Sequence, residues 1–499
     1  MNAKIRCVLK NERTQLCICF LFMLFMCVFN LMHSALWGDE WVEYYYSQRA
    51  IKTGELYKAI VSTFQPPLYN LVMHFWLMIS QSLVWFRSFN IVIALISAFF
   101  IYKTNAKLYT KRVGMLSVII LAVCFHWIYC IQECSEYALM LMCLCASIYY
   151  YVLCNIKFSY STLTGFIIFS VLAIYSQYGA VFVALPLLAL FFLKHVFDSK
   201  EELKRKIIIF AIYAFSFVVF AIPLYYFFLN RQLGRNKIIE NTVSINGDIL
   251  RDIPFVFGQL IGYFFGVNEG TVWPVVLAII SVVILVLCAL IIVNKGIDWS
   301  KRSIVISLVL CYVLHYILVQ MHIYSMMHPG QSEGFFTRYS YFYIPLCCVA
   351  FPVIFYENTQ IFAGAGKIKK FCAAFLVMCL LLVSFVSVMK NWNKAYDDVY
   401  IKIWEENEGW NDYTYLYGVN YGFYYYVKEL DNYDESFLDR VSTSVDDDNL
   451  PEHFWAWRIN WGGEEWQTTI DKARELGYTV TIYDDSGYEG QLAYCTLEG

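Results

Sequence analysis

The amino-acid sequence predicts a mostly α-helical protein that crosses a membrane many times and ends in a small α/β domain. Its 499 residues are 59% hydrophobic and 15% charged, with a mean hydropathy of +0.52, whereas a soluble domain has about 25% charged residues. Uncharged runs such as 207–229 and 272–293 reach the roughly 20 residues that an α-helix needs to cross a bilayer. This composition excludes a soluble enzyme, a disulfide scaffold and a disordered chain.

The apolar runs predict about eleven transmembrane helices. A signal peptide is the alternative for the first run, but its length favours a helix. The predicted spans are approximately 15–33, 84–102, 113–130, 136–154, 162–176, 179–194, 207–229, 271–293, 303–324, 340–356 and 371–389.

Basic clusters recur between these spans and fix the predicted orientation. They lie at 103–112, 194–206, 295–302 and 367–370, and the positive-inside rule places them, with the basic N-terminus, in the cytoplasm. A further span at 67–82 would invert every later loop. We therefore predict a helix that lies at the membrane surface there, and a second interfacial helix at 252–265.

The C-terminal region differs from the rest of the chain in charge. Residues 393–499 carry 23 Asp and Glu against 7 Lys and Arg, a net charge of −16. Strand-like segments at 413–419, 454–460 and 478–483 alternate with helix-like segments at 422–430 and 464–476. Gly477 stands where a helix C-cap is expected. We predict two domains, a transmembrane domain at 1–392 and an extracytoplasmic acidic α/β domain at 393–499.

Two adjacent carboxylates, Asp39 and Glu40, follow the first predicted span directly and stand between Trp37 and Trp41. Acidic residues in the first turn of a helix, next to aromatic residues at the membrane surface, are the structural alternative. The functional interpretation is a general base at the outer membrane surface.

A second acidic group, Glu133 and Glu136, lies in a tight turn between the third and fourth predicted spans, one or two helical turns after His126. Carboxylates so close to a bilayer are costly unless they are hydrated, paired or bound to a metal. Capping of the next helix explains Glu136 but not Glu133. Glu133 is thus a candidate for catalysis or for binding a metal.

The third group is Arg338 with Tyr339 at the outer mouth of the tenth predicted span. An arginine there is often a snorkelling anchor for lipid head groups, but its guanidinium can also bind a phosphate through two hydrogen bonds. His322 and His328 lie just upstream, and their spacing alone does not predict a metal site.

Together these groups provide a candidate general base, a cation site and a phosphate-binding residue on one face of the membrane. Transfer of a sugar from a polyprenyl phosphate needs a carboxylate to accept the proton of the acceptor hydroxyl, and positive charge to stabilise the departing phosphate. A divalent ion held by a carboxylate could supply part of that charge.

At these residues the sequence resembles the GT-C superfamily of membrane glycosyltransferases. Within it, the resemblance is to bacterial glycosyltransferase family 39, which is related to protein O-mannosyltransferases and aminoarabinose transferases. It covers roughly residues 15–390. The motifs that carry it are Asp39-Glu40, Gln65-Pro66-Pro67-Leu68-Tyr69, Phe125-His126-Trp127-Ile128-Tyr129 before Gln132-Glu133, Tyr175-Ser176-Gln177-Tyr178, and Thr337-Arg338-Tyr339 before Pro345.

The resemblance implies a GT-C fold and a role for each group. Asp39 would activate the acceptor hydroxyl, Glu133 would assist or hold a metal ion (Mg, Mn or Zn), and Arg338 would bind the donor phosphate, with Tyr339 and His126 beside it. It also implies inversion at the anomeric carbon.

The sequence departs from the family pattern at three positions. Relatives often have Glu-Ala-Arg where this chain has Glu133-Cys134-Ser135, so a second arginine is missing. Gln177 stands where a histidine is common, and Gln65 stands where the aminoarabinose branch has a charged residue. These departures argue against aminoarabinose transfer.

The sequence therefore favours an inverting glycosyltransferase in a bacterial plasma membrane, acting on the outer face on a polyprenyl phosphate-linked sugar and an acceptor glycan, lipid or protein. No nucleic acid is expected as a partner. A transporter or flippase of lipid-linked sugars is the non-enzymatic alternative, for which charged residues in mid-membrane and broken helices are expected. An inactive membrane scaffold is the third hypothesis.

Overall fold

The computed structural model of the chain describes residues 11–29, 56–62, 65–197, 202–233, 274–321, 338–361, 403–417, 440–442, 450–459, 463–483 and 490–497, with single residues between 31 and 54 and between 382 and 389. The chain forms two compact units. The first contains Met1–Phe29 and Tyr46–Asn391, and the second contains Asn30–Tyr45 and Trp392–Gly499.

The described part of the first unit is helical. Its helices are α1 (Glu12–Val28), α2 (Leu56–Ser62), α3 (Pro67–Leu77), α4 (Leu83–Leu108), α5 (Lys111–Ala122), α6 (Phe125–Gln132), α7 (Glu136–Ile156), α8 (Tyr160–Ser176), α9 (Val181–Phe197), α10 (Leu203–Gln232), α11 (Pro274–Val293), α12 (Trp299–Gln320) and α13 (Tyr343–Ile361).

Five described helices are long and apolar enough to cross a membrane, or six if the bent pair of α5 and α6 forms one span. Three shorter apolar helices, within α8, α11 and α13, accompany them. These helices show a multi-pass membrane protein, as the sequence predicted. The predicted number of about eleven spans stays a prediction, and the predicted span at 371–389 lies almost entirely outside the described residues.

The third predicted span, 113–130, is not one straight helix. The structure divides it into α5 and α6, which meet at an angle of 64°. The chain leaves the helical conformation at Cys124, which has φ −69° and ψ 115°. Neither Pro nor Gly marks this break, and the apolar run continues across it, so the sequence pattern predicted a single helix.

The segment predicted to lie at the membrane surface contains α3, which has 11 residues and is therefore roughly 16 Å long, too short to cross a bilayer. Trp76 at its end stacks on Trp85 of α4 with ring centroids 4.3 Å apart. Each indole N–H donates a hydrogen bond of 2.8 Å to the main-chain carbonyl of the other tryptophan. This pair fixes the connection between α3 and α4.

Three of the predicted basic clusters meet at one end of the helices, here called the basic end. Lys301 contacts Glu357 at 2.7 Å and lies 4.4 Å from the ring centre of Tyr109. Lys194 and Arg302 both lie near the ring of Trp299. The side of a membrane that this end faces stays a prediction.

Helix α10 has little contact with the other helices. Only 11% of its most apolar 18-residue stretch is buried, compared with 67% of the corresponding stretch of α7. Two π-helical segments, Phe217–Ala221 and Tyr225–Leu229, flank Pro223, which lacks the amide N–H that a regular helix uses. Tyr175 of α8 donates a hydrogen bond of 2.6 Å to the carbonyl of Phe220.

The described residues of the second unit include a five-stranded sheet and a 13-residue helix. The strands are β1 (Tyr413–Tyr417), β2 (Val441–Ser442), β3 (His453–Ile459), β4 (Tyr478–Tyr483) and β5 (Gly490–Leu497), in the order β2-β1-β3-β5-β4. The pairs β1–β2 and β1–β3 are parallel, whereas β5 is antiparallel to β3 and β4.

Helix α14 (Gly463–Glu475) covers one face of this sheet. Its buried Trp466, Ile470 and Ala473 recur at helical spacing and belong to one core with Phe454 and Cys495, so the helix is amphipathic. The predicted C-cap Gly477 has φ +92°. The small α/β fold is thus confirmed, while β2 and β5 were not predicted. The helix-like segment 422–430 lies outside the described residues.

Candidate functional site

The predicted acidic turn, 132–136, joins α6 to α7 and is buried. Glu133 is 7% exposed and Glu136 is 3% exposed. Glu133 directly follows Gln132, the last residue of the eight-residue helix α6. A buried turn keeps its carboxylates away from bulk water. In such surroundings a carboxylate interacts more strongly with a cation than it would in water.

The first turns of α4 and the end of α1 hold this turn through hydrogen bonds. The Asn90 side-chain amide donates to the carbonyl oxygens of Ile131 at 3.2 Å and of Glu133 at 2.8 Å. The Cys134 thiol donates to the carbonyl of Phe86 at 3.6 Å. Gln132 donates to the carbonyl of Phe29 at 3.0 Å. We call the end of the helices that contains this turn the acidic end.

An aromatic contact brings His126 and the segment of Arg338 and Tyr339 toward the acidic turn. Tyr341 is 2% exposed, and its ring centre lies 5.9 Å from that of His126 and 5.3 Å from that of Tyr137. The 3₁₀ helix Arg338–Ser340 ends directly before Tyr341. Two segments that are far apart in the sequence, 126–137 and 338–341, therefore meet, and Tyr339 is half-buried.

Two further sequence motifs meet through a residue that the sequence did not indicate. Gln232, which is 4% exposed, accepts a hydrogen bond of 2.7 Å from the Tyr178 hydroxyl and donates one of 2.9 Å to the carbonyl of Gln65. The Gln177 side chain also accepts a short hydrogen bond from the amide of Gly179. Gln232 lies at the end of a long apolar span, and nothing in the surrounding sequence indicated that it would connect these motifs.

The structure also reveals a cation that the sequence pattern did not indicate. Arg87 lies in the second turn of α4, between Phe86 and Asn90, which both contact the acidic turn, and it is 2% exposed. Among the described residues it is the one buried Lys or Arg. In the sequence a single arginine near the start of an apolar run resembles an interfacial anchor, so its burial was not predictable.

The predicted pair Asp39 and Glu40 is only partly described. Asp39 lies outside the described residues. Glu40 is helical and 2% exposed, and the nearby Glu43 is 3% exposed. Buried carboxylates of this kind need cationic or hydrogen-bonding partners, which makes both residues candidates for more than a surface role.

No group of three or more His, Cys, Asp or Glu that could hold a metal ion occurs among the described residues. Glu133 therefore stays a predicted metal ligand. Two further potential donors, Asp39 and His328, lie outside the described part of the chain.

Solved structures to which the chain is similar include those of ArnT and of an oligosaccharyltransferase. ArnT from Cupriavidus metallidurans in the apo state has 11% identity and a TM-score of 0.49, with 96% of this chain and 97% of that chain covered. The same enzyme bound to undecaprenyl phosphate has 10% identity and a TM-score of 0.43, with coverages of 99% and 98%. The Archaeoglobus fulgidus oligosaccharyltransferase in the apo form has 11% identity and a TM-score of 0.49, with coverages of 95% and 69%.

Among curated proteins no sequence matches the chain. Residues 64–226 match the family model described as dolichyl-phosphate-mannose-protein mannosyltransferase. This region extends from α3 into α10 and contains Arg87, Asn90, His126 and the acidic turn. The match confirms the predicted resemblance to the GT-C superfamily of membrane glycosyltransferases.

Proposed function

We propose that the protein is an inverting glycosyltransferase that moves a sugar from a polyprenyl phosphate to an acceptor hydroxyl on the outer face of a bacterial plasma membrane. The observation that carries the proposal is the convergence of a buried acidic turn, His126 and the Arg338 segment at the end opposite the basic clusters. Because basic loops favour the cytoplasm, the acidic end would face outward, where the C-terminal domain at 393–499 would also lie.

Each residue has a distinct role in this proposal. Asp39 accepts the proton of the acceptor hydroxyl, with Glu40 beside it, and Glu133 assists or holds a divalent ion such as Mg, Mn or Zn. Arg338, with Tyr339 and His126, binds the donor phosphate. A positive charge at that position stabilises the leaving phosphate as the bond to the sugar breaks.

Arg87 strengthens the proposal electrostatically. Two buried carboxylates next to a bilayer would repel an anionic donor unless cations offset them. By the sequence resemblance, relatives often have Glu-Ala-Arg at the turn, whereas this chain has Glu133-Cys134-Ser135. Arg87 lies on α4 between Phe86 and Asn90, which contact the turn, and its guanidinium would supply positive charge to this region.

A transporter or flippase of lipid-linked sugars is the second candidate, and the irregular geometry of α10 is the feature that comes closest to supporting it. The π-helical segments around Pro223 make this span an irregular but continuous helix, whereas transporters often have broken helices. The described buried Arg and Glu side chains also lie near helix ends and not in the middle of long spans. The glycosyltransferase is therefore the better supported function.

The test is transfer of radiolabelled sugar by the purified protein in lipid vesicles. The donors are undecaprenyl phosphate-linked mannose, glucose and galactose, and the acceptors are a peptide, a glycan and a lipid fraction from the cell envelope. We expect transfer or hydrolysis with one donor by the wild type and loss of at least about 100-fold in Asp39→Asn. A chelator followed by Mg, Mn or Zn decides the requirement for a metal.

The same vesicles separate the alternatives. Movement of the labelled lipid between leaflets without release of sugar, equal in wild type and Asp39→Asn, would support the flippase and contradict the glycosyltransferase. Neither movement nor transfer with any donor would support the scaffold.

A further inference from the structure

We propose that Asn90 is a positioning residue for the reaction, because its amide fixes the main chain of Glu133 and thereby the location of the Glu133 carboxylate. This inference rests on the proposed function. Asn90 is completely buried, and it lies on α4, whereas Glu133 lies in the turn between α6 and α7.

The geometry explains why an amide is needed at this position. The Asn90 Nδ2 group has two N–H donors, and these reach two carbonyl oxygens, those of Ile131 and Glu133. Among uncharged side chains only Asn and Gln offer two donors on one nitrogen atom. One side chain thus ties together the last turn of α6 and the first residue after it.

Without the Asn90 amide, these two carbonyl groups would keep unsatisfied acceptor positions in a buried site, at a cost in stability. The last four carbonyls of a helix have no partner within the helix, and a buried carbonyl without a hydrogen bond loses about 1–3 kcal/mol. The Glu133 carbonyl also accepts the amide of Ser135 at 3.0 Å, so Asn90 completes its two acceptor positions. Satisfying both positions fixes the peptide unit that follows the Glu133 Cα atom and thereby restrains the Cα atom that carries the side chain.

The position of the break between α5 and α6 makes this contact important. Since α6 has only two turns and follows a 64° bend, its own helical bonds hold the turn weakly. The opposing helix α4 supplies the missing support through Asn90 and through the Phe86 carbonyl, which accepts from Cys134. A displacement of about 1 Å in a catalytic group can lower a rate by about 100-fold.

A matched control exists on the same helix. Asn105 is also completely buried, and its Nδ2 group donates to the carbonyl of Cys348 at 3.1 Å. It lies 15 residues after Asn90, or roughly 22 Å further along α4 toward the basic end. Loss of Asn105 therefore removes a similar buried amide contact without touching the acidic turn.

The experiment compares Asn90→Ala, Asn90→Ser and Asn105→Ala in the full chain, in the vesicle assay and with the donor that the wild type uses. For Asn90→Ala we expect kcat to fall about 10-fold to 100-fold, while KM for the donor changes less than about threefold. Asn90→Ser keeps one donor and should recover part of kcat. Asn105→Ala should keep kcat within about threefold, although its thermal unfolding should show a loss of stability similar to that of Asn90→Ala.

Each outcome decides the proposal. Equal values of kcat for Asn90→Ala and Asn105→Ala would overturn it, as would a loss expressed only in KM. If Asn90→Ala does not fold, Asn90→Ser is compared with Asn105→Ser in the same way. A wild type without transfer activity refutes the proposed function itself, whereas an active wild type with an unaffected Asn90 variant refutes only this inference.

Discussion

The two ends of the transmembrane helices place charge in different ways. At the basic end, Lys301 and Glu357 form a direct ion pair, and their side chains are 18% and 13% exposed. The pair of Lys111 and Glu12, also at this end, is mostly exposed. At the acidic end, Glu133 and Glu136 are almost fully buried, and amide and thiol groups hold their turn through hydrogen bonds to main-chain carbonyls.

We interpret this difference as one between a surface that anchors the protein and a proposed reactive surface. Paired charges that reach solvent contribute to orientation in the membrane with modest effects on stability. Burying a carboxylate lowers the stability of the protein. Such a loss is common at functional sites, where the chemistry needs a group with a perturbed pKa or strong interactions. The comparison predicts that substitutions at the acidic end change activity, whereas substitutions at the basic end change stability.

The largest effect is expected from Glu133→Gln, which keeps the shape of the side chain and removes its charge. We expect transfer to fall about 100-fold to 10,000-fold, the range for a group that takes part in proton transfer, because the variant could no longer assist Asp39 or hold a divalent ion. The matched control is Glu357→Gln at the basic end, which should retain activity within about threefold. Equal losses in both variants, measured as initial rates in vesicles, would show that the two ends do not differ as proposed.

The second effect concerns stability at the basic end. Lys301→Met leaves Glu357 without its ion-pair partner in a partly buried position. We expect the free energy of unfolding to fall by about 1–3 kcal/mol, between the values for exposed and buried pairs. Thermal unfolding in detergent measures this, with Lys111→Met in the exposed pair as the control that should leave the melting temperature unchanged. A loss of activity without a loss of stability would contradict the comparison.

A smaller effect is expected at Gln232, which connects Tyr178 to Gln65 at the acidic end. Gln232→Ala removes two neutral hydrogen bonds worth about 1 kcal/mol each, and we expect a decrease of about 3-fold to 10-fold in kcat/KM. The control is Gln81→Ala, since Gln81 is exposed and contacts Gln48 at 3.0 Å. An unchanged rate in Gln232→Ala would show that the two motifs do not cooperate.

The smallest effect lies in the C-terminal domain, where burial and a hydrogen bond to Asp412 raise the pKa of Tyr494 to about 12. An unfolded tyrosine has a pKa near 10, so the unfolded chain releases this proton first. Stability from the neutral hydroxyl is constant below about pH 10 and is lost as the pH rises from about 10 to about 12. Tyr494→Phe should reduce this alkaline loss, as followed by tryptophan fluorescence, whereas Tyr413→Phe on an exposed position should not.

The sequence identified the elements whose signals are local. The length of the apolar runs predicted the spans around α4, α7 and α9. The recurrence of basic clusters between the spans predicted which loops lie together. Strands β1, β3 and β4 and helix α14 followed from short-range patterns, with Gly477 at the C-cap. Motifs rich in charge near the membrane surface also indicated Glu133 and His126, because a charge beside an apolar run is conspicuous in a sequence.

Tertiary structure alone decided the features that depend on contacts between distant segments. The bend between α5 and α6 occurs in an uninterrupted apolar run, and Asn90 became relevant only because α4 packs against the acidic turn. The burial of Arg87 and the link through Gln232 have the same origin. Composition determines that a segment prefers lipid over water, but the partner of a polar side chain depends on which helices lie next to each other, and that is fixed only when the whole chain packs.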